Sequence, residues 1–123
     1  MQNLETLLEN DSIKGALIIS RLAGGEVIES TIKDPNNFQS FLELALDYID
    51  KFINYKIESS KYISIINDKN LKRIKLQFEE NTVDFIEIKN DDIFLVILYD
   101  NTYPKGINEL YINMAIDYAF NSY

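Results

Sequence analysis

Residues 15–30 read GALIISRLAGGEVIES: a continuous apolar run, a glycine pair, then a shorter and more polar run. Gly24-Gly25 either cradles a phosphate or turns a β-hairpin. A Walker-type phosphate loop closes with Gly-Lys-Ser/Thr, and a dinucleotide loop opens a helix with GxGxxG. Here the glycines lead into Glu26-Val27-Ile28-Glu29-Ser30, with an acidic residue first and no Lys-Ser/Thr. Glycine tolerates the positive φ that tight hairpins require. The stretch therefore reads as a hairpin. Ala16–Ile19, apolar throughout, is expected to be a strand covered on both faces. Residues 26–30 are expected at an edge, with Arg21 at the hairpin tip within reach of a partner.

Upstream, Leu4, Leu7 and Leu8 follow helical spacing and predict a short helix over residues 2–10, ended by Asp11-Ser12. Downstream, Asp34-Pro35 is a helix start, with Asp34 as N-cap and Pro35 at the first helical position. The helix is predicted to run over residues 36–58. Phe38, Phe41, Leu42, Ile49, Phe52 and Ile53 fall within about 80° of Ala45 on its wheel, and Leu44, Tyr48, Tyr55, Leu46 and Ile57 widen that arc to about twice what an ordinary surface helix needs. One face can cover a sheet. The surplus either meets a second partner or is tolerated at the surface.

Ser59 to Asn70 reads as a short strand or a last helical turn at Tyr62–Ile66. Helical continuation is disfavoured because it would turn Ser60, Lys61 and Ser64 inward. In Leu71–Glu79, Ile74, Leu76 and Phe78 alternate with Arg73, Lys75 and Gln77, which predicts an edge strand with one dry and one wet face. Thr82–Lys89 and the wholly apolar Ile93–Tyr99 are further strands, divided by turns at Glu80-Asn81 and Asn90-Asp91-Asp92. Strands 15–20 and 93–99 are expected side by side at the centre. Ile107, Leu110, Tyr111, Met114, Ala115 and Tyr118 predict a final amphipathic helix, with Ile112, Ile116 and Phe120 broadening its apolar face. The order is α-β-β-α-β-β-β-α in a single domain over residues 1–123, an α/β (α+β) chain with a five-stranded antiparallel-type sheet.

Composition narrows function. Apolar residues make up 46% of the 123, enough for a real core. The net charge of −8 disfavours nucleic acid and acidic lipid as partners. The basic cluster Lys69, Lys72, Arg73 and Lys75 reads as a solvated strand face. No cysteine and no histidine is present, which removes thiolate metal sites and the commonest general base. No run approaches a membrane span, and MQNLETLLEND lacks the pattern of a signal peptide. The expectation is a cytoplasmic protein with no cofactor, no metal and no direct membrane insertion.

This order, with IKGALIIS and GGEVIEST before a long helix and NDDIFLVILYDN before the last one, resembles the roadblock (dynein light chain) family of the roadblock/longin-like superfamily. The match covers nearly the whole chain and rests on pattern and order: Gly-Ala-Leu at the first strand, the glycine hairpin, three late strands and the apolar strand before the final helix. The segment Ser59 to Asn70 is longer than the usual link. The resemblance implies helices on both faces of the sheet and a dimer in which the strand after the long helix pairs with its symmetry mate. On this chain the implied dimer contacts are Arg73, Ile74, Lys75, Leu76, Gln77 and Phe78 on the strand. On the helix they are Phe41, Ala45, Tyr48, Phe52 and Tyr55.

Roadblock proteins serve as platforms or regulators for Ras-like small GTPases and as adaptors. The resemblance thus implies a small dimeric scaffold, paired with itself or with a paralogous roadblock-like chain, whose partner is a small GTPase. Leu44, Tyr48, Lys51, Tyr55 and Arg21 are the candidate partner-binding residues, although the Leu44-Tyr48-Tyr55 stripe serves equally as dimer contact. A catalytic contribution would need an arginine finger. Only Arg21 and Arg73 exist, and both read first as solvated charges, so no enzyme activity of its own is expected. The alternative is a small-molecule sensor, or a heterodimeric adaptor subunit, on a longin/profilin-like scaffold without GTPase binding.

Overall fold

Strands that are apolar on both faces must be covered twice, and the two such strands of this chain lie adjacent, with one of them at the middle of the sheet. The computed structural model describes residues 1–68 and 70–123; Lys69, counted above in the basic cluster, lies outside them. The sheet contains β1 (Ile13–Ser20), β2 (Glu26–Ile32), β3 (Arg73–Gln77), β4 (Asn81–Lys89) and β5 (Ile93–Asp100). Its order is β2-β1-β5-β4-β3, with every neighbouring pair antiparallel. The strand expected at an edge, β3, is at an edge.

Alternation along the strands divides the core into two layers. On one face Ala16, Ile18, Ile86, Leu95 and Ile97 pack under a 3-10 helix, Leu4–Glu9, and the C-terminal helix α3 (Lys105–Ser122). On the other, Leu17, Ile19, Val83, Phe85, Phe94 and Val96 pack under the long helix α1 (Phe38–Ser59). Phe52 is fully buried there and meets Phe94 edge-on, ring centroids 5.1 Å apart. Truncating it to alanine would cost about 3–5 kcal/mol. Gly15 allows close approach of Phe41: an added Cβ would lie 3.2 Å from that ring and from the Thr31 carbonyl.

The opening hairpin is as read. Gly24 and Gly25 have φ of 76° and 80°, and the Gly25 amide donates to the Ser20 carbonyl at 3.0 Å. Asp34 caps the 3-10 turn Pro35–Asn37 that leads directly into α1, accepting from the Asn36 amide at 3.0 Å.

Three expectations are corrected. The first helix is 3-10 rather than α, because its six residues are too few to make an α-helix worth nucleating. The segment after α1 continues as helix, a 3-10 turn Ser60–Tyr62 and then α2 (Ile63–Ile66), closed by Asn67 in the left-handed region at φ 58°. The objection to helix assumed a buried face, but residues 60–68 are all exposed, so Ser60, Lys61 and Ser64 are not forced inward.

On α3 the buried side is Asn108, Ile112, Ala115 and Ala119, while Ile107 and Leu110 stand exposed. That helix is apolar almost all round, so two stripes compete. The alanine stripe prevails because small side chains let the helix approach the sheet closely. Asn108 joins it because its Nδ2 donates to the Asp100 carbonyl at 3.1 Å and its Oδ1 accepts from buried Ser12.

Candidate functional site

Among the described residues, β3 pairs with β4 on one side and has no strand on the other. Its hydrogen-bond phase is fixed at both ends: the Lys72 carbonyl accepts from Glu87, and the Phe78 amide donates to Asn81. Even-numbered residues therefore direct their backbone groups at β4. Those of Arg73, Lys75 and Gln77 point out from the free edge. On the face under α1, Ile74 and Leu76 are only half-buried, and Phe78 beyond them is 55% exposed. An open, regular edge with an incompletely covered apolar face is a template for pairing.

α1 flanks this edge. Phe41, Ala45 and Phe52 are buried against the sheet and support the surface from beneath. Tyr48 stands beside them with its ring 5.9 Å from Phe85 of β4, and Lys51 lies over that ring at 4.2 Å while pairing with Asp47 at 3.1 Å. Leu44 is half-buried and Tyr55 is 44% exposed. The structure thus brings Leu44 and Tyr48 of α1 and Ile74 and Leu76 of β3 around one cluster, which does not include Tyr55.

Two buried carboxylates and their cations hold the edge in place. Arg73 donates from Nε to Asp84 Oδ1 at 2.8 Å and from its terminal nitrogen to Oδ2, a bidentate grip on a fully buried carboxylate. Buried Glu87 receives Lys56 of α1 at 2.8 Å and Lys72 at 3.0 Å. Burial pushes the Glu87 carboxyl up, but the hydrogen bonds from Lys56, Lys72 and the Asp91 amide outweigh it and hold it below its ordinary value. Burial likewise opposes the charge on Lys56, and its bonds to Asp91 and Glu87 raise it regardless.

Arg21 lies apart from this surface. Its Nε donates to the Asp91 carbonyl at 2.8 Å, joining the β1–β2 turn to the β4–β5 turn, and the next residues of the turn, Leu22 to Gly24, are exposed. Arg73 is likewise engaged within the chain.

Sequence reasoning missed the apolar lobe beyond α1. Ile57, Tyr62, Ile65 and Ile66 are 48–80% exposed. Beside them a cleft of about 560 Å³ opens between the end of α1, α2 and the start of β3, lined by Ser59, Ser60, Ile63, Ile66, Leu71 and Lys72 among others. The signal was the run Tyr62-Ile63-Ser64-Ile65-Ile66, whose apolar character is hard to explain in a surface link. Among the described residues, no helix is long and apolar enough to cross a membrane.

No protein-family model and no curated protein matches the chain. Solved structures do. Myxococcus xanthus MglB superposes with a TM-score of 0.65 at 14% identity, covering 94% of this chain and 87% of its own. The gliding protein MglB of Thermus thermophilus gives 0.61 at 20%, covering 94% and 80%. A Roadblock/LC7 domain from Streptomyces avermitilis gives 0.62 at 12%, covering 92% and 88%. The chain has the roadblock fold.

Proposed function

We propose that this chain is a small dimeric scaffold that binds a Ras-like small GTPase, as an adaptor or regulator and not as an enzyme in its own right. The observation that carries the reading is the open β3 edge, regular in register, with half-buried Ile74 and Leu76 and exposed Phe78 on one face. Pairing of that edge with the same strand of a second chain, or of a paralogue, covers all three side chains. It joins the two sheets into one and sets the two α1 helices side by side on a common face. Two-fold pairing of antiparallel strands is the commonest closed symmetry for such an assembly.

Support for the GTPase comes from the fold, shared with MglB, one of whose structures is of a gliding protein. It is an analogy of fold, strengthened by an exposed apolar surface of the kind a partner needs. Tyr55 continues the Tyr48 stripe along α1, and Tyr62, also exposed, lies in the turn beyond it. Tyrosine suits such a place, with an apolar body and a polar tip. A cytoplasmic location follows from the partner.

The test is a binding titration of the purified protein with Ras-like GTPases of the same genome, each loaded with GDP or a non-hydrolysable GTP analogue. A saturable complex that discriminates the two nucleotide states is expected. No complex with either form at high micromolar concentration would remove the GTPase from the reading.

A further inference from the structure

The pairing proposed above leaves the partner open between a second copy and a paralogue, and leaves the register open. Both are constrained by the order of residues along the edge. A two-fold axis perpendicular to the sheet keeps each side chain on its own face. Residues directly opposite must also share a face. The two paired numbers therefore have the same parity, and the axis must pass through a residue. On β3 (Arg73–Gln77) the axis positions that keep at least three strand residues paired are Ile74, Lys75 and Leu76.

Residues 72–80 read Lys-Arg-Ile-Lys-Leu-Gln-Phe-Glu-Glu. An axis at Lys75 sets Lys75 against the partner's Lys75, like charges directly opposite, and sets Phe78 against the partner's Lys72. An axis at Ile74 sets Arg73 against the partner's Lys75. An axis at Leu76 removes every such conflict. Leu76 then meets the partner's Leu76 and Ile74 meets the partner's Phe78, all on the face under α1. Lys75 meets the partner's Gln77. At the ends, Arg73 faces the partner's Glu79 and Lys72 faces the partner's Glu80. Opposite charges and apolar pairs in facing positions stabilise an antiparallel ladder, and like charges destabilise it.

The backbone agrees. Because Arg73, Lys75 and Gln77 turn their backbone groups to the free edge, this register hydrogen-bonds Lys75 to the partner's Gln77 twice over. Leu76 falls in a non-hydrogen-bonded pair, where Cα atoms approach most closely, at about 4.5 Å. Glu79 and Glu80 sit exposed in the β3–β4 turn, available to a neighbour.

We infer that β3 is a self-complementary edge: its partner is a second copy of this chain, seated with the two-fold axis at Leu76 and its ends held by Arg73–Glu79 and Lys72–Glu80 pairs. The inference rests on the dimer of the preceding section. The natural absence of cysteine makes it directly testable. Ile74→Cys, Lys75→Cys and Leu76→Cys are made singly, checked for native circular dichroism, and oxidised mildly at concentrations where sedimentation shows a dimer. A disulfide needs Cα atoms roughly 4.4–6.8 Å apart, so Leu76→Cys is expected to give the covalent dimer fastest.

Faster cross-linking through Lys75→Cys or Ile74→Cys, or none from any of the three in a protein that still dimerises, would overturn the register while leaving the dimer standing. A protein that is monomeric throughout would overturn both. Glu79→Lys, an exposed change that spares the hydrophobic pairs, is expected to raise the dimer dissociation constant severalfold at low salt, with the difference shrinking as salt screens it. An unchanged constant would count against the end pairs.

Discussion

The two edges of this sheet face the same hazard and meet it differently. β2 is closed off by its own chain. Ile18 pairs with Glu29 and Ile19 with Val27, so Ile28 is an extra residue, a bulge that breaks regular pairing. Val27 and Ile32 pack under α1, and Tyr118 of α3 donates its hydroxyl to Glu29 from the opposite face. β3 has no bulge, five residues in unbroken register, and an apolar face that α1 only half covers. The comparison teaches which edge is suited to the pairing proposed above: the one left regular and partly apolar, while the means of blunting an edge are used on the other side of the same sheet.

The largest effect should come from unfastening β3. Arg73→Ala strips the buried Asp84 carboxylate of its counter-charge and should cost about 3 kcal/mol, the low end for a broken buried pair because the arginine is partly exposed. Urea unfolding reads this directly. Next, Lys56→Met should cost somewhat less, since Glu87 keeps Lys72 and the Asp91 amide. The depressed Glu87 carboxyl contributes stability above its unfolded pKa, about 4.3. That stability is lost as pH falls through the lower folded value. Acid unfolding followed by circular dichroism should therefore begin below about pH 4 in the parent and at higher pH in Lys56→Met.

The paired test of the two edges is Ile74→Glu against Ile28→Glu. The first should weaken dimerisation by about 2 kcal/mol or more, roughly thirtyfold. The second should leave association unchanged and stability within about 0.5 kcal/mol. A fully folded Ile74→Glu dimer of unchanged affinity would remove β3 from the interface. The smallest effect belongs to Tyr118→Phe, within about 1 kcal/mol at neutral pH. The Glu29 carboxylate pushes the Tyr118 hydroxyl up to about 12, chiefly by accepting its hydrogen bond. A raised tyrosine favours folding below its unfolded pKa, near 10, and loses that contribution between there and about 12. The variant should therefore show a shallower alkaline loss of stability.

Much of the fold was legible because its signals were local. Asp34-Pro35 states a helix start in two residues, Gly24-Gly25 a turn, and the unbroken apolar runs of β1 and β5 a twice-covered centre. The candidate edge was legible from the alternation of Ile74, Leu76 and Phe78 with charged and polar residues. What was not legible depended on packing. α3 carries apolar residues on nearly every side, so periodicity could not choose between the Leu110 stripe and the Ala115-Ala119 stripe. The sheet surface and buried Ser12 chose. The Arg73–Asp84 grip joins residues eleven apart across a hairpin whose register sequence leaves open. The helical lobe at residues 60–66 was misjudged because an exposed apolar helix contradicts the rule that apolar faces are buried.

Sedimentation equilibrium of the pure protein over a concentration series tests the central claim most directly. A mass near twice 14.3 kDa, persisting into the low micromolar range, is the predicted result. A mass of 14.3 kDa at every concentration would contradict it: the β3 edge would then be stable uncovered, and the scaffold built on it would have no second half.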